Sequence, residues 1–83
     1  MKTNKFINDN YIIDVKIAGK VLFINILNKK TNEKIDSGTH LLNLINTKNL
    51  IQKFLNPYGS NDLINNIIEY LIEYSPIFKQ KQI

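Results

Sequence analysis

YIIDVKIAGKVLFINILN, residues 11–28, decides the fold. Two runs rich in Ile, Val, Leu and Phe flank Gly19-Lys20. Branched and aromatic side chains suit a pleated surface. A Gly-X pair between them suits a two-residue type II′ hairpin turn, whose first central position needs φ > 0. With the turn placed there, Ile17 faces Leu22, Val15 faces Ile24, Ile13 faces Ile26 and Tyr11 faces Asn28. Opposed residues share a face, so Ile13, Val15, Ile17, Leu22, Ile24 and Ile26 make one apolar face. A slip by one residue would carry the second strand's set to the other side. Turn chemistry and hydrophobic pattern therefore agree on one register.

The opposite face of the hairpin reads Ile12/Leu27, Asp14/Asn25, Lys16/Phe23 and Ala18/Val21. It is mixed, and more apolar than a bare solvent face requires. A polar loop, Lys29-Lys30-Thr31-Asn32, leads to a third strand near 33–38. Pairing Asn28 with Glu33 would set Ile35 opposite Ile26 on the core face and turn Lys34 and Asp36 outward. A short, charged strand suits a sheet edge.

After Gly38 the period changes. Leu41, Leu44, Ile45, Ile51 and Leu55 fit one helical face with Thr39 as N-cap. Asn46-Thr47-Lys48-Asn49 is poor helix sequence, so a break is expected near 46–47 with Thr47 capping a second piece. Segment 39–46 also reads as an extension of the third strand. Asn56-Pro57-Tyr58-Gly59 is a stop, because the residue before Pro is disfavoured in the helical region. Ser60 or Asn61 then caps a helix, with Asp62 at its N-terminal dipole. Leu63, Ile64, Ile67, Ile68, Leu71 and Ile72 form its apolar stripe, and Ser75-Pro76 ends it. Ile77 and Phe78 are expected to tuck back.

The expected fold class is thus α+β. A three-stranded antiparallel meander (about 11–18, 21–28 and 33–38) precedes two helical segments (about 40–56 and 61–75) packed on one sheet face. Residues 1–10 are mostly polar and read as a loose arm or a short turn of helix. The chain of 83 residues reads as one domain, with 1–9 and 79–83 flexible.

The chain has no Cys, so disulfides and thiolate chemistry are excluded. No apolar run approaches the roughly 20 residues that span a bilayer, and the start lacks the apolar core of a signal peptide. A cytoplasmic protein of a bacterial or other low-GC host cell is expected. The low-GC source follows from the abundance of Ile, Asn and Lys, whose codons are A/T-rich. All eleven basic residues are Lys, and the net charge is +4. The charge is uneven: residues 1–36 carry seven Lys and four acids, whereas 61–78 carry three acids and no base.

Residues capable of chemistry are few. His40 is the sole histidine; catalysis would need a nucleophile or carboxylate in reach, and its neighbours Asp36 and Ser37 do not assemble a triad by adjacency. Glu69 and Glu73 share a helical face, which reads as a solvated surface. Tyr70 and Tyr74 share another and read as half-buried or as an aromatic contact. The three glycines are isolated in turns and make no phosphate-cradling loop. No catalytic residue, metal site or cofactor is expected, and the chain is read as non-enzymatic.

Two surfaces could carry a partner. Ile12, Phe23 and Leu27, rimmed by Lys16 and Lys34, form an apolar patch suited to a protein, unless Phe6-Ile7 or Ile77-Phe78 fold over it. Lys16, Lys20, Lys29, Lys30 and Lys34 cluster around the hairpins with Phe23 among them, the ingredients of a single-strand nucleic-acid surface. Arg for bidentate base reading is missing. In architecture, YIIDVKIAGKVLFINILNKKTNEKID followed by LIQKFLNPYGSNDLINNIIEYLIEY resembles small phage-encoded inhibitors of host defence such as some anti-CRISPR proteins. That resemblance implies a compact module that binds a protein and blocks it by occlusion. A nucleic-acid-binding module is the alternative, and a structural subunit or homodimer the third; no membrane partner is expected.

Overall fold

A computed structural model describes residues 2–43 and 46–75. The chain is α+β. Four strands, β1 (Lys2–Ile7), β2 (Tyr11–Ala18), β3 (Val21–Asn28) and β4 (Lys34–Leu41), precede two helices, α1 (Thr47–Leu55) and α2 (Asn61–Tyr74). The strands form one antiparallel sheet in the order β1-β2-β3-β4.

The central hairpin has the expected register, with Ile17 opposite Leu22, Val15 opposite Ile24, Ile13 opposite Ile26 and Tyr11 opposite Asn28. Gly19 has φ of 61°, and Lys20 does not share its positive φ. This is the II′ pattern rather than I′, which would need φ > 0 at both positions. The six apolar residues of the inner face are all buried.

The opening residues are a strand, not a loose arm. β1 pairs with β2 from Lys2 opposite Ile17 to Ile7 opposite Ile12. An edge strand needs little apolar content when only one of its residues packs against the apolar core. Here that residue is Phe6, whose ring meets Tyr70 edge-on at 5.8 Å. The turn into β2 is closed by Asn8, whose Oδ1 accepts from the N–H groups of Asn10 and Tyr11. Its Nδ2 also donates to the Tyr58 carbonyl at 2.7 Å, tying this turn to the end of α1.

β4 departs from expectation in register and length. Asn28 N–H does donate to the Glu33 carbonyl, and Asn32 takes a φ of 60° to complete the turn. Beyond it, Leu27 pairs with Lys34 but Ile26 pairs with Asp36. Ile35 is the extra residue of a β-bulge and is 47% exposed rather than opposite Ile26 in the core. The bulge turns Asp36, Gly38 and His40 toward the helices, opposite Ile26, Ile24 and Leu22. Asp36, expected to point outward, instead accepts a hydrogen bond from the Tyr58 hydroxyl at 2.6 Å. The strand continues to Leu41, so Thr39 is a strand residue and not a helix cap. Leu42 is buried and donates its N–H to the Lys20 carbonyl.

α1 is correspondingly shorter than the expected 40–56. The expected break near 46–47 is instead the start of the helix: 40–41 belong to β4 and 42–43 are not helical, so no helical piece precedes Thr47 among the described residues. Thr47 does not act as the N-cap. It is buried, and its Oγ1 donates to the Asn43 carbonyl while accepting from the Asn43 N–H. Asn56 precedes Pro57 yet keeps a helical backbone (φ −52°, ψ −41°). The helix stops because Pro57 has no N–H to continue the ladder; Tyr58 and Gly59 then both donate to the Leu55 carbonyl. Ser60 caps α2 by accepting from the Leu63 N–H. Ile51 and Leu55 of α1 and Ile64, Ile67, Ile68 and Leu71 of α2 join the inner sheet face in one core. Leu44, Ile45, the expected tuck of Ile77 and Phe78, and the tail 79–83 lie outside the described residues.

Gly38 is a tight point of this packing. A Cβ there would lie 2.9 Å from His40 Nε2 and 3.1 Å from Phe54 Cε1. Gly38→Ala is expected to destabilise by about 1–3 kcal/mol through overpacking, read as a lower urea midpoint with an unchanged m-value. The loss should shrink in a His40→Ala background, since the two changes share one contact.

Candidate functional site

The face of the sheet turned away from the helices carries the candidate site. Alternation along the paired strands puts four rows across it. One is Ile7, Ile12, Leu27 and Lys34; the next is Lys5, Asp14, Asn25 and Ser37. Then come Thr3, Lys16, Phe23 and Thr39, and finally Ala18, Val21 and Leu41. The expected partner-binding residues Ile12, Lys16, Phe23, Leu27 and Lys34 are thus brought together on one surface. β1 and β4 add Ile7 and Leu41, which the sequence reading left out.

No described element packs on this face. Both helices lie across the other side of the sheet, and the core cluster draws only on the inward residues. Ile7 is 57% exposed, Phe23 36% and Leu41 69%, while Ile12, Val21 and Leu27 are half-buried by their neighbours. Phe6 turns to the helix side, so the Phe6-Ile7 pair does not fold over the patch; Ile7 extends it instead. Lys5, Lys16 and Lys34 outnumber Asp14, so the face is basic as well as apolar.

The five lysines proposed for nucleic acid do not gather in one place. Lys16 and Lys34 lie on the outer face, Lys20 in the turn at one end of the sheet, and Lys29 and Lys30 in the turn at the other. Strands of this length separate the two ends by about 25 Å.

The remaining titratable residues sit elsewhere. His40 is on the helix side, edge-on to Phe54 at 5.5 Å. Its Nε2 is buried, with no hydrogen-bond partner among the described residues. Glu69 and Glu73 are exposed on α2. Tyr70 stacks obliquely on Tyr74 at 4.8 Å, and Lys2 Nζ lies 5.4 Å over the Tyr74 ring. Burial, then the neighbouring Tyr74, raises the Tyr70 phenol above 10.0. An open groove between the helices is lined by Gln52, Lys53, Asn56, Asn61, Ile64 and Asn65. Among the described residues no three His, Asp or Glu side chains come together as a metal-sized group. No described helix is long and apolar enough to cross a membrane.

No protein-family model, curated protein or solved structure matches the chain.

Tyr58 is the joint between β4, α1 and the β1–β2 turn. Its hydrogen bond to Asp36, then burial, holds its phenol above 10.0. A raised folded pKa means that the native state keeps a proton the unfolded chain gives up. The stabilisation is therefore complete below pH 10.0 and is lost as pH climbs through the raised value. Tyr58→Phe is expected to lower the melting temperature at neutral pH. It should also flatten the fall in melting temperature at alkaline pH, compared with the parent chain by circular dichroism. Tyr70 supplies a residual slope of the same sign in both.

Proposed function

We propose that this chain is a small, non-enzymatic protein-binding module that docks its partner on the outer face of the sheet. The observation that carries this reading is the apolar surface of Ile7, Ile12, Phe23, Leu27 and Leu41 on the four-stranded sheet, which no described element covers. Large exposed apolar patches with a polar rim mark interaction sites more often than they mark bare surface. Phe23 lies on a central strand, where an aromatic anchor contributes most to binding. Lys5, Lys16 and Lys34 select a partner whose apolar contact is bordered by carboxylates. Occlusion of a host defence complex, the action implied by the resemblance to phage-encoded inhibitors, fits such a surface because it requires contact area and no chemistry.

Binding of single-stranded nucleic acid is the second reading, favoured by Lys16 beside the exposed ring of Phe23. It would show a steep loss of affinity with salt, which an apolar protein contact would not.

The test compares the parent chain with Phe23→Glu and with Glu69→Lys on the opposite side of the molecule. A partner captured from host lysate is purified and titrated against all three. Phe23→Glu is expected to weaken binding at least 100-fold, Glu69→Lys to leave it unchanged, and the circular dichroism spectrum of each to match the parent. Equal binding by a folded Phe23→Glu would show that the outer face is not the docking surface, and its unfolding would show Phe23 to be core.

A further inference from the structure

The sheet has two open edges, and they are not equivalent. The two-residue turn makes Ala18 and Val21 the closing hydrogen-bonded pair. Pairing then alternates, so the main-chain groups of Leu22, Ile24 and Ile26 point to β4 and those of its Asp36, Gly38 and His40 point back. Asn28 N–H to the Glu33 carbonyl and Leu42 N–H to the Lys20 carbonyl have the same phase. The C=O groups of Ser37, Thr39 and Leu41 and the N–H groups of Thr39 and Leu41 therefore point away from the sheet, with no strand among the described residues beyond them; the Ser37 N–H donates to the carboxylate of its neighbour, Asp36 Oδ1, at 2.8 Å. On β1 the outward groups belong to Thr3, Lys5 and Ile7 by the same count.

Unpaired edges invite another strand, and lysines are the usual guard against it. β1 carries Lys2 and Lys5 within its six residues. β4 carries only Lys34, at its start before the bulge. From Asp36 to Leu41 it has no lysine, no proline and no further bulge. Its ends present exposed apolar side chains, Ile35 and Leu41.

The sequence of β4 is also complementary to itself. An antiparallel two-fold through Gly38 sets Ser37 against Thr39 of the second copy, with Thr39 N–H donating to the Ser37 carbonyl and Ser37 N–H exchanging its Asp36 acceptor for the Thr39 carbonyl. The same axis sets Ile35 against Leu41, so polar meets polar and apolar meets apolar, while the side chains of Asp36 and His40 stay on the helix side with Tyr58 and Phe54. A two-fold interface needs this kind of self-complementarity.

We propose that two copies of this chain pair through β4, antiparallel about Gly38, to make one continuous sheet of twice the width. The seam is short, and it buries less than the roughly 1,200 Å² of a standard stable interface. The dimer is therefore weak and concentration-dependent, with a dissociation constant on the order of 100 μM.

Sedimentation velocity across a dilution series tests this on the full chain. The expected result is a monomer–dimer equilibrium. Thr39→Pro should raise the dissociation constant at least tenfold, because it deletes an N–H that the monomer does not use. Thr39→Lys, which keeps the N–H and adds the missing guard, should do the same and carries the test should the proline variant not fold. Thr3→Pro on the β1 edge and Phe23→Glu on the outer face should leave the dimer intact. A monomer at every concentration would overturn the proposal, as would a dimer insensitive to both Thr39 variants. Dissociation by Phe23→Glu alone would overturn it too, assigning self-association to the outer face.

Discussion

The geometry of this protein depends on one backbone constraint, the left-handed φ of Gly19 in a two-residue turn. That turn leaves no slack between β2 and β3, so it fixes parity. Parity decides which side chains meet the helices, which face outward, and which main-chain groups are left at the sheet edges. The inner set is branched aliphatic without exception. A register error would therefore expose buried Ile and Leu side chains, at roughly 1.5–3 kcal/mol for each one fully exposed. Local turn chemistry and global burial select the same pairing, and such consistency across levels is what specifies a single fold.

Two aromatic groups extend that core beyond the aliphatic layer. On one flank Phe6 meets Tyr70, and Tyr70 meets Tyr74 beneath Lys2. On the other, Tyr11, Tyr58, Phe54 and His40 succeed one another ring to ring. Each group joins an edge strand to a helix. A domain of this size buries a smaller fraction of its surface than a large one, and large rings at the rim extend burial without lengthening the chain. Tyr58 adds hydrogen bonds at both ends of its residue, from its hydroxyl to Asp36 and from Asn8 to its carbonyl. The edge strands are held to the helices by these rings more than by aliphatic contact.

The parts legible in the sequence are those where a periodic apolar pattern coincides with a terminating signal. The β2–β3 hairpin and α2 meet this condition: the first has Gly19-Lys20, the second Ser60 and the stripe from Leu63 to Ile72. The outer-face residues Ile12, Lys16, Phe23 and Leu27 were legible for the same reason, since they are the remaining parity of a register already known, and Lys34 followed from pairing Asn28 with Glu33 ahead of the bulge. β1 was not legible, because KTNKFI contributes one ring to the core and otherwise satisfies its backbone by pairing with β2. Nothing local in β4 announces a bulge at Ile35, and the single inserted residue reversed the faces assigned to Ile35 and Asp36. Leu41 fits a helical stripe and an outward strand position equally well; only the extension of β4 distinguishes them. The lysines misled for a different reason. Proximity in sequence across two turns places them at opposite ends of antiparallel strands.

The outer face and the β4 edge are separate surfaces built from overlapping residues, and parity explains both facts. Ser37, Thr39 and Leu41 send their side chains to the outer face and their main-chain groups to the edge. A strand added at β4 consumes the main-chain groups and leaves those side chains where they were. Pairing two copies there would accordingly widen the apolar outer face instead of covering it, carrying Phe23 of each copy on one shared sheet. The right-handed twist between neighbouring strands would rotate the two halves progressively, so the widened face would be saddle-shaped rather than flat. A partner contacting both halves would gain from bivalency even where either half bound weakly. Weak self-association and partner binding are then reciprocally linked, since a ligand that bridges the pair stabilises it by the same free energy that the pair lends to binding.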